Sequence, residues 1–350
     1  GLAACVSALW GWLAMDPLVQ PFWTLPFLPV QLGQLSALVL APAALLITSA
    51  LLTTRRLLTA AVVAYLVLTT VGLLLSLVWP IVEINLRGLV LTWSASLIFG
   101  QLIFNQSLSR PMRLLLIAIL GLTLYVKLGL AFTWVSGWLP TLVAIGVITW
   151  LRSWKAVSAL ALTAVIVITL AASFLEQDYE REYQESGSTR SAKWLLVAKQ
   201  PFVRDYFIVG TGPANYALYF SAYTPRDRLS THNNYADIFL QMGVIGVGLM
   251  LWVLISAWRL GLKLRAAPLR DPFLNGFVHS VLGGVVAVLV AMMLGDWFTP
   301  FVYNQTLAGF SWTVQSWIFI GALCAVPAMV RAERGPRQET MDGGSRQRYA

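Results

Sequence analysis

The sequence predicts an all-α polytopic membrane protein. It has about ten transmembrane helices and one large outward-facing loop with short amphipathic helices. Three observations predict it. Hydrophobic residues make up 58% of the 350 and charged residues only 11%, less than half the roughly 25% charge of a soluble domain. The apolar residues come in runs of about 20, the length that crosses a bilayer core, and not in the short alternating segments of a membrane barrel. Between Leu175 and Tyr235 the pattern breaks: this stretch carries Glu176, Asp178, Glu180, Arg181, Arg190, Lys193, Arg226, Asp227 and Arg228, and it ends at the first histidine, His232.

Cut at charges, prolines and Trp-rich ends, the apolar runs give spans near 1–15, 30–52, 57–79, 87–106, 113–132, 134–151, 155–175, 235–258, 273–295 and 303–329. The organisation that follows is a first transmembrane bundle over 1–175, a long polar loop over 176–234 that is the candidate working surface, and a last set of three helices over 235–330. A disordered cytoplasmic tail is expected over 331–350, rich in Arg, Gln and Gly. Basic residues sort the connections. Arg55-Arg56, Arg110 with Arg113, Arg152 with Lys155, Arg259 to Arg270, and Arg331 onward alternate onto one side, which the positive-inside rule makes cytoplasmic. The long loop then faces outward, where a soluble nucleotide donor is absent.

The net charge of +9 is explained by these connections and implies no nucleic-acid partner. Fifteen Trp and eleven Tyr suit the two membrane interfaces. Cys5 and Cys324 lie in apolar runs without disulfide or metal spacing. No Cys/His cluster and no spaced carboxylate pair calls for a metal, and no cofactor is expected.

Inside the loop, Ser188 or Thr189 can cap a short helix carrying Trp194, Leu195 and Ala198, which Pro201 would end. Pro213 suits the first position of another helix, with Tyr216, Tyr219 and Phe220. Both are expected to lie amphipathically along the membrane surface.

His232 leads the candidates for chemistry. It precedes Asn233 and Asn234, either of which can cap the following helix, whose dipole favours anions. Histidine exchanges protons near neutral pH. A hydrogen-bonded interfacial histidine without a catalytic role is the alternative at this point. Arg190 with Lys193, and Arg226 with Arg228, match phosphate oxygens, as a diphosphate at the surface would require; a solvated, charge-balanced loop is their alternative. Arg87, at the outer end of a span, and Lys127, inside one, are ionisable groups at the membrane, with snorkelling as the alternative for Arg87. Asp296 could pair with either. Gly210-Thr-Gly212 could offer backbone N–H groups to a phosphate, although a tight turn explains it as well. His279 reads as structural.

The loop motifs together resemble those of the O-antigen ligase and O-antigen polymerase superfamily of bacterial envelope enzymes. The matching residues are Arg190-Ser-Ala-Lys-Trp194, Pro201, Val209-Gly-Thr-Gly-Pro-Ala-Asn-Tyr216 and the run from Thr231-His-Asn-Asn-Tyr235 to Gly243-Val-Ile-Gly246. The resemblance implies a metal-independent glycosyltransferase. It would move a glycan from undecaprenyl diphosphate to an acceptor hydroxyl on lipid A core, a growing polysaccharide or a protein, at the outer face of the bacterial inner membrane. It implies His232 as the base that activates the acceptor and Arg190 as the group on the diphosphate. Arg87, Lys193, Gly210, Gly212, Tyr216, Arg228, Asn233 and Asn234 would contribute to substrate binding. One departure stands out: members carry a Ser-Arg-Gly-type motif ahead of the loop, and the comparable stretch here, Thr133-Trp-Val-Ser-Gly-Trp138, has no arginine. Arg87 or Lys127 could supply that charge. The family's usual twelve or so spans imply one or two more ahead of Gly1. A transporter or flippase for a lipid-linked or anionic solute, or a non-catalytic envelope scaffold, are the competing classes. Transporters concentrate ionisable groups at the bilayer midplane, whereas here they cluster outward.

Overall fold

The computed structural model describes residues 1–79, 86–130, 135–158, 199, 201–223, 231–267 and 269–334. Every regular element among them is helical. Helix α1 is Leu2–Leu13, and two 3₁₀ turns, Gln20–Phe22 and Leu25–Phe27, lead into α2, Leu28–Leu51. Then come α3 (Arg55–Val78), α4 (Val90–Phe104) and α5 (Arg110–Leu124), which continues as a π-helical segment, Tyr125–Leu130. Helix α6 is Val135–Arg152. Two short helices, α7 (Pro201–Asp205) and α8 (Tyr216–Tyr223), precede the long α9, Asn234–Ala266. Helix α10 (Pro272–Leu294), one turn of α11 (Val302–Gln305) and α12 (Ala308–Arg334) complete the order.

Local sequence sets these starts. Thr54, Ser109, Asn233 and Asp271 each stand one residue ahead of a helix and accept hydrogen bonds from its first free N–H groups. Pro29, Pro111 and Pro272 occupy first-turn positions, where the missing N–H costs nothing.

Seven of the helices are long and apolar enough to cross a membrane. The expected spans at 1–15 and 87–106 are helices of 12 and 15 residues, shorter than the about 20 that a bilayer core requires. The expected span at 155–175 lies outside the described residues beyond 158. The closely spaced runs 113–132 and 134–151 are indeed two helices, α5 and α6. Helix α12 extends to Arg334, so the first residues assigned to a disordered tail are helical; the remainder, 335–350, lies outside the described residues.

The helix ends sort the charge. Arg55 forms an ion pair with Asp271 and lies 5.9 Å over the Phe273 ring, while Arg265 donates to the Leu151 carbonyl at 2.9 Å. The basic connections of α2–α3, α6 and α9–α10 thus meet at one end of the bundle. The turn holding His232 lies at the other end, at the start of α9.

Helices α4, α9, α10 and α12 share the main core, built around Trp93, Phe277, Leu282 and Trp317. Helix α10 is its centre, buried along most of its length, whereas α3 is largely exposed. Small residues make that possible, because without a hydrophobic drive in lipid the helices associate by close contact. A Cβ on Gly284 would come within 2.2 Å of the Trp93 ring, and one on Gly283 within 2.9 Å of the Ala144 carbonyl. Polar side chains bridge the same seams: Thr92 to Thr141 (2.8 Å), Ser96 to the Ser280 carbonyl (2.7 Å) and Trp93 Nε1 to Ser316 Oγ (2.9 Å).

A second core lies at the His232 end, with Phe202, Tyr206, Tyr216, Tyr219, Phe220 and Phe301 around Val19 and Phe27. Two expectations are corrected here. The chain is helical from Pro201 through Asp205 (α7), where Pro201 was expected to end a helix; Lys199 before it is helical too, and the rest of the segment expected to precede it lies outside the described residues. Helix α8 starts three residues after Pro213. It is buried over Tyr216–Phe220, so it is not an amphipathic surface helix, because its aromatic residues fill a core on all sides.

The packing of α10 is directly testable. Gly284→Ala is expected to lower the thermal unfolding midpoint in detergent, since overpacking costs about 1–3 kcal/mol. Gly248→Ala, whose Cβ would meet nothing within 4 Å, is expected to leave the midpoint unchanged or raise it.

Candidate active site

Helix α9 is broken at Gly243, where φ is 63° and ψ is −164°. The break removes helical partners from the carbonyls of Leu240 and Gln241 and from the N–H groups of Val244 and Ile245. The loop ahead of α8 supplies all four. Thr211 N donates to Leu240 O (2.8 Å) and Gly212 N to Gln241 O (3.0 Å), while Val244 N donates to Phe207 O (2.9 Å) and Ile245 N to Ile208 O (3.4 Å). The Gln241 side chain adds an acceptor for Ala214 N at 3.1 Å, and Ser7 on α1 donates to the Gln241 carbonyl. The approach admits no side chain: a Cβ on Gly243 would sit 2.2 Å from the Ile208 oxygen, and one on Gly210 2.3 Å from the Gln241 carbonyl carbon.

The N–H groups of Gly210, Thr211, Gly212 and Ala214 are therefore used inside the protein. The expectation that this turn cradles a phosphate is replaced by a different role: Gly210 and Gly212 dock the loop onto the broken helix.

The segment after α10 is pinned from several sides. Asn234 accepts at Oδ1 from Phe298 N (2.7 Å) and donates through Nδ2 to Thr299 O (2.7 Å). Gln34, fully buried on α2, donates to Pro300 O (2.9 Å) and accepts from Val302 N (2.7 Å). Trp317 donates to Phe298 O (3.1 Å), and Phe301 stacks on Tyr216 at 4.7 Å. Asp296 rides on this segment, its side chain wholly buried.

His232 sits in the turn before α9 with a left-handed φ of 48° and a half-exposed side chain. A non-glycine residue in that conformation is strained, and such strain gathers at functional sites. Its Nδ1 is 4.0 Å from Asp296 Oδ2. The turn is held from below. Thr231 donates to Asp237 Oδ1 (2.7 Å), and the Tyr216 hydroxyl donates to the same carboxylate oxygen. Burial, and then the charges of Asp237 and Asp296, push the Tyr216 phenol well above its ordinary range, so it remains a proton donor to Asp237. Asp237 lies in the first turn of α9, where the helix dipole favours an anion.

The expected site residues distribute as follows. His232 and Asp296 come together. Arg87 is exposed in the turn before α4; a Cβ on its neighbour Gly88 would lie 2.7 Å from the ring of Trp297, the residue after Asp296, so the same segment carries both. Asn233 caps α9, accepting from Tyr235 N and Ala236 N, and its amide reaches Met293 O at 3.2 Å. Asn234 and Tyr216 are buried and serve the scaffold, because their polar atoms are engaged by Thr299, Phe298 and Asp237. Arg190, Lys193 and Arg228 lie outside the described residues. His279 is structural, bonded to the Asn275 carbonyl and stacked on Phe104 at 3.6 Å. Among the described residues no group of three or more His, Cys, Asp or Glu side chains converges.

Asp237 escaped the sequence reading, although a carboxylate in the first turn of an apolar helix is a signal in itself. Gln34 and Gln241 left no signal, since their role depends on partners 266 and 27 residues away.

Residues 95–253 match the family model described as O-antigen ligase. The matched stretch includes the docked turn, His232 and the break at Gly243; Arg87 precedes it and Asp296 follows it. No curated protein and no solved structure matches the chain.

Gly243→Ala is expected to free the docked loop, combining a backbone conformation that is essentially confined to glycine and costs another residue about 1–3 kcal/mol with overlap on Ile208. Limited proteolysis should show new cleavage within residues 201–215.

Proposed function

We propose, on the premise that residues 95–253 form an O-antigen ligase domain, that the chain transfers a glycan from undecaprenyl diphosphate to an acceptor hydroxyl. The transfer takes place at the outer face of the inner membrane and needs no metal. The observation that carries this reading is the pairing of a half-exposed His232 with a buried Asp296 at 4.0 Å, on the bundle end opposite the basic connections.

The chemistry is a single displacement. The acceptor O–H gives its proton to Nε2 of the half-exposed His232 as its oxygen attacks the anomeric carbon. The bond from that carbon to the phosphate oxygen breaks, and the diphosphate leaves with the electron pair. The imidazolium that forms carries its other proton on Nδ1, facing Asp296, which stabilises it as it develops. A closure of about 1 Å would turn the 4.0 Å separation into a hydrogen bond, and such contacts tighten when substrate binds. The charge growing on the leaving diphosphate needs cations nearby, and such electrostatic stabilisation is a large catalytic term. Arg190 is assigned that role, with Lys193, Arg228 and the exposed Arg87 contributing. Two lipid-anchored reactants held at one membrane surface supply much of the remaining rate through positioning. Whether the acceptor is lipid A core, a growing polysaccharide or a protein is set by surfaces beyond this pair.

Purified protein with a synthetic polyprenyl diphosphate-linked glycan tests the proposal. His232→Ala is expected to lower transfer by about 10²–10⁴-fold with unfolding unchanged, and Asp296→Asn by less. Arg190→Ala is expected to raise the donor KM. Full transfer by folded His232→Ala would remove the base from the mechanism.

A further inference from the structure

We propose that Lys127 is an anion-binding residue of this same site, where its ammonium group takes a phosphate oxygen of the lipid-linked donor. The proposal rests on the transferase reading above and deepens it. Lys127 lies in the π-helical segment Tyr125–Leu130, at the end of the span Arg110–Leu128, and only 4% of its surface is exposed. An ionisable residue inside a span is costly and is retained for function, and π segments gather at functional sites.

The ammonium has three donors. One goes to the Gly137 carbonyl at 2.6 Å. A carbonyl accepts a proton but does not neutralise a charge, and among the described residues no carboxylate pairs with Lys127. A buried cation in this state favours an anion beside it, and the low dielectric strengthens the attraction.

The packing sets its height. Thr92 on α4 and Thr141 on α6 share a hydrogen bond of 2.8 Å. Gly137 precedes Thr141 by about one turn at the start of α6, and Gly88 lies in the turn just before α4, whose third residue is Thr92. Gly137 holds Lys127, and Gly88 packs on Trp297, next to Asp296. Lys127, Arg87 and the Asp296 segment therefore lie at the same end of the bundle, by the starts of α6 and α4 and beyond the end of α10. They approach it from α5, α4 and the end of α10.

A purely mechanical role, tying α5 to α6 through Gly137, has a distinct signature. Lys127→Gln keeps a hydrogen-bond donor for Gly137 and loses the charge; Lys127→Arg keeps the charge. Binding of undecaprenyl diphosphate to the purified protein in nanodiscs, measured apart from transfer, decides between the two roles. The expected result is at least a tenfold weaker Kd for Lys127→Gln, near-normal binding for Lys127→Arg, and an unchanged unfolding midpoint for both. His232→Ala is expected to bind the diphosphate as the wild type does. If Lys127→Gln binds as tightly as the wild type, Lys127 is a strut and the proposal falls, whatever the transfer assay shows. If Lys127→Gln loses the diphosphate while the wild type transfers no glycan, the anion site stands and the transferase reading falls.

Discussion

A break in one helix imposes the conditions that the rest of the site satisfies. Where α9 parts at Gly243, two carbonyls and two N–H groups lose their helical partners at membrane depth, where each unsatisfied group costs several kcal/mol. The chain from Phe207 to Gly212 lies against the break and completes all four bonds. That docking fixes the Gly-Pro turn, and the turn delivers Tyr216 to the end of α9. Tyr216 then reaches Asp237 with its hydroxyl and Phe301 with its ring, which ties the start of α9 to the segment bearing Asp296. The distance between His232 and Asp296 is the last link in that series.

Two buried carboxylates stand at this end of the bundle and do different work. Asp237 receives hydroxyls from Thr231 and Tyr216 and sits at a helix N-terminus, so its charge is met by scaffold. Asp296 rides on an irregular segment held by Asn234, Gln34 and Trp317, and it points to a histidine that solvent can reach. The buried amides of Asn234 and Gln34 are spent on backbone groups of that segment. Asp296 thus faces one nitrogen of a side chain that remains half-exposed.

The same end gathers cationic groups of different kinds. Arg87 is exposed and next to a glycine that packs on Trp297, whereas Lys127 is buried in a widened helical turn. On the transferase proposed above, an ammonium within the bundle and a guanidinium at its rim would suit a ligand whose phosphates sit at the membrane surface and whose chain lies in the lipid.

Much of the architecture is legible in composition and periodicity. Long apolar runs bounded by Pro, Trp and paired Arg are helices, since lipid leaves the backbone no other partner than itself. Asn233 as a cap and His232 as the group ahead of it follow from local rules that act over three or four residues. The sequence alone also determined that the basic connections share one end, because charge and span alternation are one-dimensional properties. Only the tertiary structure decided that Gly210 and Gly212 dock a broken helix and do not cradle phosphate, that α8 is buried, and that Asp296 faces His232 across 64 residues of chain. Those outcomes depend on which unsatisfied groups meet in space, and hydrogen-bond partners hundreds of residues apart leave no pattern in the order of the amino acids.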